Sequence, residues 1–341
     1  MKTLLVPSHG LDAITRDMLR RVSELPKGEL RVITAGPGEE TEAPEIRSKA
    51  DFRAARAYRN IILREGADLT FSPSTSGLAT MLWATIGTGV RNIGYRGTQA
   101  RVRRSDPTNW LALLNPRVAH IVCETADIRE ALSRKVPGRK LSVATKPFAP
   151  EWVADAIARP LTAQGYSADG FELLYVGVSK GRPHKGLRTL LEALEILAHD
   201  EEGYHLTVVG DAEEADRDFA RRLPADFIAT TPDATRYMPP ATLYILPSTR
   251  DASPRTLREA QACGVPCIVS DIPGARDLIS PGETGLLVPP GSAGALAEAI
   301  RSLRAKPEVL EAMRGATKDF IVRAFDPEAY ARQFLNLFKS L

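Results

Sequence analysis

Short apolar runs alternate along this chain with longer stretches whose apolar residues recur every three or four positions. Thr3–Val6, Leu30–Thr34, Leu69–Ser72, Arg91–Tyr95, Ala119–Cys123 and Leu141–Ala144 read as buried strands. Between them, Thr15–Leu25 reads as a helix with Met18, Leu19, Val22 and Leu25 on one face, and Glu45–Glu65 as a long helix in which Phe52, Ala55, Ile62 and Leu63 can face inward. Ser76–Gly87 and Ala126–Ser133 are further helices, and Trp110–Asn115 a helical turn. The rhythm breaks over 146–170, where Pro147, Pro150, Pro160, Gly165 and Gly170 mark a connection with a short helix at Glu151–Ile157. It then restarts. Phe171–Val176, His205–Val209, Thr242–Leu246, Pro266–Ser270 and Gly285–Val288 read as strands, and Leu187–His199, Pro254–Cys263, Ala275–Ile279 and Ala293–Leu303 as helices, with Pro307–Leu341 helical. Strands alternating with helices predict mostly parallel sheets covered on both faces. Two such domains in succession predict a cleft, with ligands outside the carboxyl ends of the strands.

Composition narrows the class. At about 150 residues per domain, 341 residues make two domains, and 43% hydrophobic with 26% charged residues excludes a disordered chain. No run approaches the ~18 apolar residues of a membrane span. The first apolar stretch is too short before Pro7 to be a signal peptide, so a cytoplasmic location is expected. Cys123, Cys263 and Cys267 are few and odd in number, which fits a reducing compartment; no Cys or His pair completes a zinc site beside Cys263 and Cys267, so no metal is expected. His120, His184, His199 and His205 join no constellation.

The net charge of +3 conceals an asymmetry. Residues 1–160 hold 25 Lys and Arg against 17 Asp and Glu, net +8, while residues 161–341 hold 20 against 25, net −5. The basic half lacks the interleaved aromatics and modules of nucleic-acid binders, so no nucleic acid is expected. Arg96, Arg101, Arg103 and Arg104 precede Trp110, Leu111, Leu113 and Leu114. This segment is either an exposed loop leading into a core-facing helix or a surface for an anionic acceptor or lipid headgroups. The arginines of Glu45–Glu65 add to the second reading.

The segment richest in chemistry is Asp251-Ala-Ser-Pro-Arg-Thr-Leu-Arg-Glu259-Ala-Gln-Ala-Cys-Gly264-Val-Pro266. Ser253-Pro254 predicts a helix start, with Ser253 as N-cap and Pro254 in the first helical position. Gly264 and Pro266 predict its end. Asp251 then lies in the loop before the helix and Glu259 about one and a half turns into it. The free N–H groups of Arg255 and Thr256 point out of the N-terminus, which favours a phosphate. One carboxylate beside a phosphate and another deeper in suit the hydroxyls of sugars and ribose.

The stretch Leu246-Pro-Ser…Asp251-x7-Glu259-Ala-x-Ala-Cys-Gly-Val-Pro…Ser270-Asp271…Gly274…Gly282-x-Thr-Gly285-Leu-Leu-Val resembles the sugar-nucleotide site of the retaining glycosyltransferases of family 4, whose pattern is Glu-x7-Glu. The resemblance extends upstream to Tyr175-Val-Gly177, Lys185-Gly186-Leu and Leu206-Thr-Val-Val-Gly210-Asp211, and so covers most of residues 171–300. It implies an α/β protein of GT-B fold, with two Rossmann-like domains facing across a cleft. Residues 1–148 would bind acceptor, 149–170 link, 171–325 bind the donor, and the helix 326–341 cross back to the first domain. It also implies roles. Glu259 would bind the donor ribose, Asp251 the hydroxyls of the transferred sugar, and Lys185 the diphosphate. The arginine usual after the first strand is Val178 here, so Arg182 or Lys180 would supply a second cation. Ser253, Arg255 and Thr256 would line the phosphate, and Gly10 would admit backbone close to it. Asp251 is a methylene shorter than the family's Glu. Arg96 stands in Gly94-Tyr95-Arg96-Gly97-Thr98 where the family has a histidine and would contact the acceptor or the leaving phosphate, while Arg101, Arg103 and Arg104 would contact acceptor. His9 is either a catalytic or sugar-contacting group or structural.

The implied activity is a retaining, metal-independent hexosyltransferase-type reaction from a UDP or GDP sugar. The acceptor would be a glycan, glycolipid or other anionic molecule of bacterial surface polysaccharide or lipopolysaccharide synthesis. No cofactor is expected, and the implied location is the cytoplasm, at the inner face of the membrane. The alternatives are a sugar-nucleotide-binding pseudo-enzyme and an epimerase of the same fold.

Overall fold

The computed structural model describes every residue except 26–28, 99, 149, 201 and 252, and all described side chains except those of 150 and 200. It divides into two compact units, Met1–Pro147 with Pro327–Leu341, and Phe148–Asp326.

The first unit runs β1 (Lys2–Pro7), α1 (Ala13–Glu24), β2 (Leu30–Ala35), α2 (Phe52–Glu65), β3 (Leu69–Ser72), α3 (Thr75–Ala84), β4 (Arg91–Arg96), α4 (Pro107–Trp110), β5 (Val118–Cys123), α5 (Ala126–Ser133) and β6 (Leu141–Val143). Its strands form one parallel sheet in the order β2-β1-β3-β4-β5-β6. In β1, Leu4 and Val6 face one hydrophobic cluster and Leu5 the other, because successive strand residues point to opposite faces. Both faces are covered, as a parallel sheet requires.

Two expectations fail at α2. The helix begins at Phe52 and not at Glu45, because Asp51 caps it by accepting from the Ala54 N–H at 3.0 Å. Its buried face is Ala54, Ala55, Tyr58, Ile61 and Ile62, which leaves Phe52 and Leu63 exposed at 59% and 60%.

The second unit runs α6 (Ala154–Ala158), β7 (Phe171–Val176), α7 (Leu187–Asp200), β8 (Tyr204–Val209), α8 (Glu214–Ala220), β9 (Ala225–Ile228), β10 (Leu243–Leu246), α9 (Arg255–Ala262), β11 (Cys267–Ser270), α10 (Pro273–Arg276), β12 (Gly285–Val288), α11 (Ala293–Arg304) and α12 (Pro307–Ala324). Its parallel order is β12-β11-β10-β7-β8-β9. Leu174 and Tyr244 pack with Leu257 and Ala260 of α9 on one face, while Leu173 and Ile245 pack with α7 and α11 on the other.

The stretch 149–170, expected as a connection, packs onto this unit. Val153 and Ala156 join its core beside Phe148, the Leu161 N–H donates to the Arg236 carbonyl, and the Gly165 N–H donates to Asp226. His205 helps to hold it: Nδ1 lies 2.8 Å from Glu172 Oε2 and Nε2 lies 3.4 Å from Asp226 Oδ2. The Ser167 N–H donates to the other Glu172 oxygen at 2.9 Å. His205, which the sequence left without partners, thus sits between two carboxylates.

A final helix, α13 (Pro327–Ser340), returns to the first unit. Phe334 and Phe338 meet Phe71 of β3 edge-on, with ring centroids 5.4 and 5.7 Å away, and join the cluster of Leu4, Val6 and Met18.

Candidate functional site

The loops that leave the carboxyl ends of β7 and β10 meet. Gly186 has φ 75°, and a Cβ there would lie 2.0 Å from the Pro247 carbonyl oxygen, so this crossing needs glycine. The Thr249 N–H donates to the His184 carbonyl at 2.8 Å and ties the same two loops. The crossing sets Lys185 Nζ 2.7 Å from Asp251 Oδ2, with the side chains 25% and 14% exposed. Burial, with the nearby cations Arg250 and Lys185, holds the His184 imidazole below its usual pKa.

Helix α9 follows Asp251 at once. It starts one residue later than expected: Pro254, with ψ 111°, occupies the N-cap position, and no side chain caps the helix. Ser253 is therefore too early to cap, and its Oγ accepts from Arg258 Nη2 at 3.2 Å. The leading N–H groups, those of Arg255 and Thr256, have no acceptor within the helix. The Thr256 hydroxyl accepts from the buried Tyr244 hydroxyl at 2.7 Å, which fixes its side chain at the start of α9. Burial drives the Tyr244 phenol well above its ordinary pKa, so it stays protonated. Glu259 is on the same helix, and its Oε1 accepts from Arg255 Nε at 2.7 Å. Gly264, with φ 76°, ends the helix region as its sequence predicts.

Lys180 and Arg182 are exposed on the loop after β7. Their backbone is pinned: the Ser179 and Lys180 N–H groups donate to the Asp211 carbonyl, and the Arg182 N–H to that of Ser179. The structure thus gathers Lys185, Asp251, Ser253, Arg255, Thr256 and Glu259 around the start of α9, with Lys180 and Arg182 on the loop that leads to Lys185.

The residues expected to contact acceptor lie in the first unit. Gly10 has φ 81°, and a Cβ there would fall 2.8 Å from Ser74 Cβ. Ser74 donates to the His9 carbonyl and accepts from the Gly77 N–H, so this glycine fits the loop against α3. Arg96 ends β4, donates to the Ala100 carbonyl at 2.6 Å, and has its pKa lowered by burial. Arg101, Arg103 and Arg104 are exposed. The backbone carbonyls of Arg103 and Arg104 accept from Asn109 Nδ2 and Trp110 Nε1. Leu113 and Leu114 are core residues, 2% and 8% exposed, as the reading of a loop leading into a core-facing helix has it, which leaves Trp110 exposed and Leu111 partly buried.

Among the described residues, no three His, Cys, Asp or Glu side chains are grouped to hold a metal. No helix among them is long and apolar enough to cross a membrane.

Sequence reasoning missed the ion pair of Arg255, although its spacing of four from Glu259 on a helix was a readable signal. It also missed Tyr244, which no motif marks.

A solved glycosyltransferase from Rickettsia africae ESF-5 aligns with a TM-score of 0.82 at 18% identity, covering 99% of this chain and 98% of that one. Anabaena HepE in complex with UDP aligns at 0.78 and 18% identity over the whole of both chains. The two Rossmann-like units therefore have the GT-B fold. Residues 170–306 match the family model "Glycosyl transferases group 1". A phosphatidyl-myo-inositol mannosyltransferase of Mycobacterium leprae is 30% identical over 193 residues, 55% of this chain and 51% of that protein. The match spans about half the length of the mannosyltransferases and less of the other curated relatives. The matched residues 170–306 contain Lys185, Asp251, Arg255 and Glu259.

Proposed function

We propose that this protein transfers a sugar from a nucleoside-diphosphate sugar to a glycan or lipid-linked acceptor in surface polysaccharide synthesis, with retained anomeric configuration and without a metal. The observation that carries this reading is the meeting of Lys185 with Asp251 at the N-terminus of α9, with Glu259 on the same helix. Glu259 would accept from the ribose hydroxyls, and Asp251 from hydroxyls of the transferred sugar. Lys185, Arg182, Lys180 and the first N–H groups of α9 would take the diphosphate. As the bond from the anomeric carbon to the diphosphate oxygen breaks, negative charge grows on that oxygen, where fixed cations lower the barrier. The acceptor oxygen would bond to the same face of the sugar and pass its proton to the departing phosphate. The UDP held by HepE makes UDP sugars the first donors to test.

Thermal-shift screening with UDP, GDP, ADP and their sugars finds the base, since a ligand of the folded state raises the melting temperature. Transfer is then assayed with Glu259→Ala as control. Loss of transfer with unchanged melting supports the proposal; full activity in the variant overturns it. Donor binding by the wild-type protein without transfer or hydrolysis across a broad acceptor panel would favour a binding role instead.

In the same proposal the acceptor binds the first unit, through Arg96, Arg101, Arg103, Arg104 and His9, and the protein works in the cytoplasm at an anionic membrane surface. Helix α2 supports this. It exposes Phe52, Arg53, Arg56, Leu63 and Arg64, and the Phe52 ring lies 5.0 Å from that of Trp83. Lys49 reaches Thr108 at 3.0 Å, which brings half-exposed Trp110 to the same region. Each cation near an anionic surface contributes about 1 kcal/mol, and exposed aromatics insert shallowly. Sedimentation with phosphatidylglycerol vesicles at low salt, lost with Arg53→Glu and Arg56→Glu, is the expected result; equal binding to neutral vesicles overturns it.

A further inference from the structure

Both carboxylates of the Asp251…Glu259 pattern are held by a cation from this chain. Lys185 holds Asp251, and Arg255 holds Glu259, each at 2.7 Å. The second pair is markedly uneven. The Glu259 side chain is 7% exposed and that of Arg255 is 70% exposed, so the guanidinium covers a buried carboxylate from its solvent side. An ionised carboxylate only accepts hydrogen bonds, whereas a guanidinium and a vicinal diol both donate them. A diol that reaches Glu259 must therefore compete with Arg255.

The displaced guanidinium has somewhere to go. Arg255 is the first residue of α9, beside N–H groups that have no helical acceptor and favour an anion. A guanidinium forks onto phosphate oxygens as readily as onto a carboxylate. The Arg255 guanidinium itself stays largely in solvent, so moving it onto another anion exposes little that was buried.

We propose that Arg255 is a specificity-determining residue that exchanges partners when ligand binds: it covers Glu259 in the free protein and moves to the diphosphate when a ribose takes Glu259. A nucleoside displaces Arg255 and offers nothing in return. A nucleoside diphosphate displaces it and supplies its new partner. Arg255 thereby widens the preference for diphosphates over nucleosides. The inference rests on the reading of this site as one for a nucleoside diphosphate.

Calorimetric titration tests it with UDP against uridine, GDP against guanosine and ADP against adenosine, on the wild-type chain, Arg255→Met and Arg255→Lys. Arg255→Met keeps the apolar stem and loses the donors. The nucleoside is expected to bind that variant about two- to fivefold more tightly. The diphosphate is expected to bind it about tenfold or more weakly, with Arg255→Lys between the two. The opposite signs are the signature. A wild-type protein that binds a diphosphate, with variants that leave the ratio to nucleoside unchanged or tighten both ligands alike, overturns the role of Arg255 alone. Equal weakening of both ligands shows a structural residue and overturns it too. A wild-type protein that binds none of the three diphosphates overturns the donor-site reading and this inference with it. Should Arg255→Met fail to fold, the ratio in Arg255→Lys decides between the same outcomes.

Discussion

Lys185 Nζ lies 2.7 Å from Asp251 Oδ2 although 66 positions separate the two residues. The contact exists because the loops after β7 and β10 cross at Gly186 and Pro247. A cation and a carboxylate that sequence spacing could not pair are thus one unit.

Removing the cation leaves Asp251 alone and a developing phosphate charge unopposed. Lys185→Met is expected to lower kcat by about 10²–10³-fold, the scale of losing one oriented charge partner of a transition state. Steady-state kinetics with the donor found by screening measures this, and Lys185→Arg should recover part of the loss.

Gly186→Ala attacks the crossing itself. The added Cβ cannot lie 2.0 Å from the Pro247 carbonyl, and φ 75° disfavours alanine. Destabilisation of at least ~1–3 kcal/mol is expected, with the loops pushed apart. Urea denaturation reads the stability. Nucleotide titration reads whether binding falls together with it.

His205 gives the second unit a pH dependence. The Glu172 hydrogen bond raises its pKa above the ordinary 6.5. The folded state then holds the proton more tightly than the unfolded chain does. The resulting stability is complete below about pH 6.5 and fades as pH rises through the raised folded-state value. His205→Gln should flatten the dependence of melting temperature on pH between 5 and 9, with its largest loss at the acid end. A parallel shift at all pH values would contradict this.

Phe334→Ala tests how firmly α13 is built into the first unit. The side chain is 1% exposed against Phe71 and Phe338, so a loss of about 3–5 kcal/mol is expected in denaturant titration.

The α9 segment was legible because its helix depends on local signals, with Pro254 at the start and Gly264 at the end. The N-cap was misread by one residue because Pro254 itself took the extended cap conformation. At α2, periodicity placed Phe52, Ala55, Ile62 and Leu63 inside; Ala55 and Ile62 are buried, but the buried face continues through Tyr58 and Ile61 and leaves Phe52 and Leu63 out, a choice only tertiary packing makes. The proline-rich stretch 149–170 reads as a linker from composition. Its attachment depends on partners as distant as Asp226 and Arg236, which no local pattern reveals. Strand β9 went unread because its four residues, Ala-Asp-Phe-Ile, carry too little alternation to distinguish them from loop.

The return of α13 fixes an order of events during synthesis. Phe334 and Phe338 complete the cluster begun by Leu4 and Val6, so β1 leaves the ribosome well before the helix that covers it. The intervening Phe148–Asp326 is continuous and can close its own core first. At elongation rates of ~5–20 residues per second, the roughly 320 residues between β1 and α13 make that wait about 15–65 s, during which the apolar side of β1 lacks its final cover. The unit that starts first along this sequence is thus completed only after the intervening one has been made.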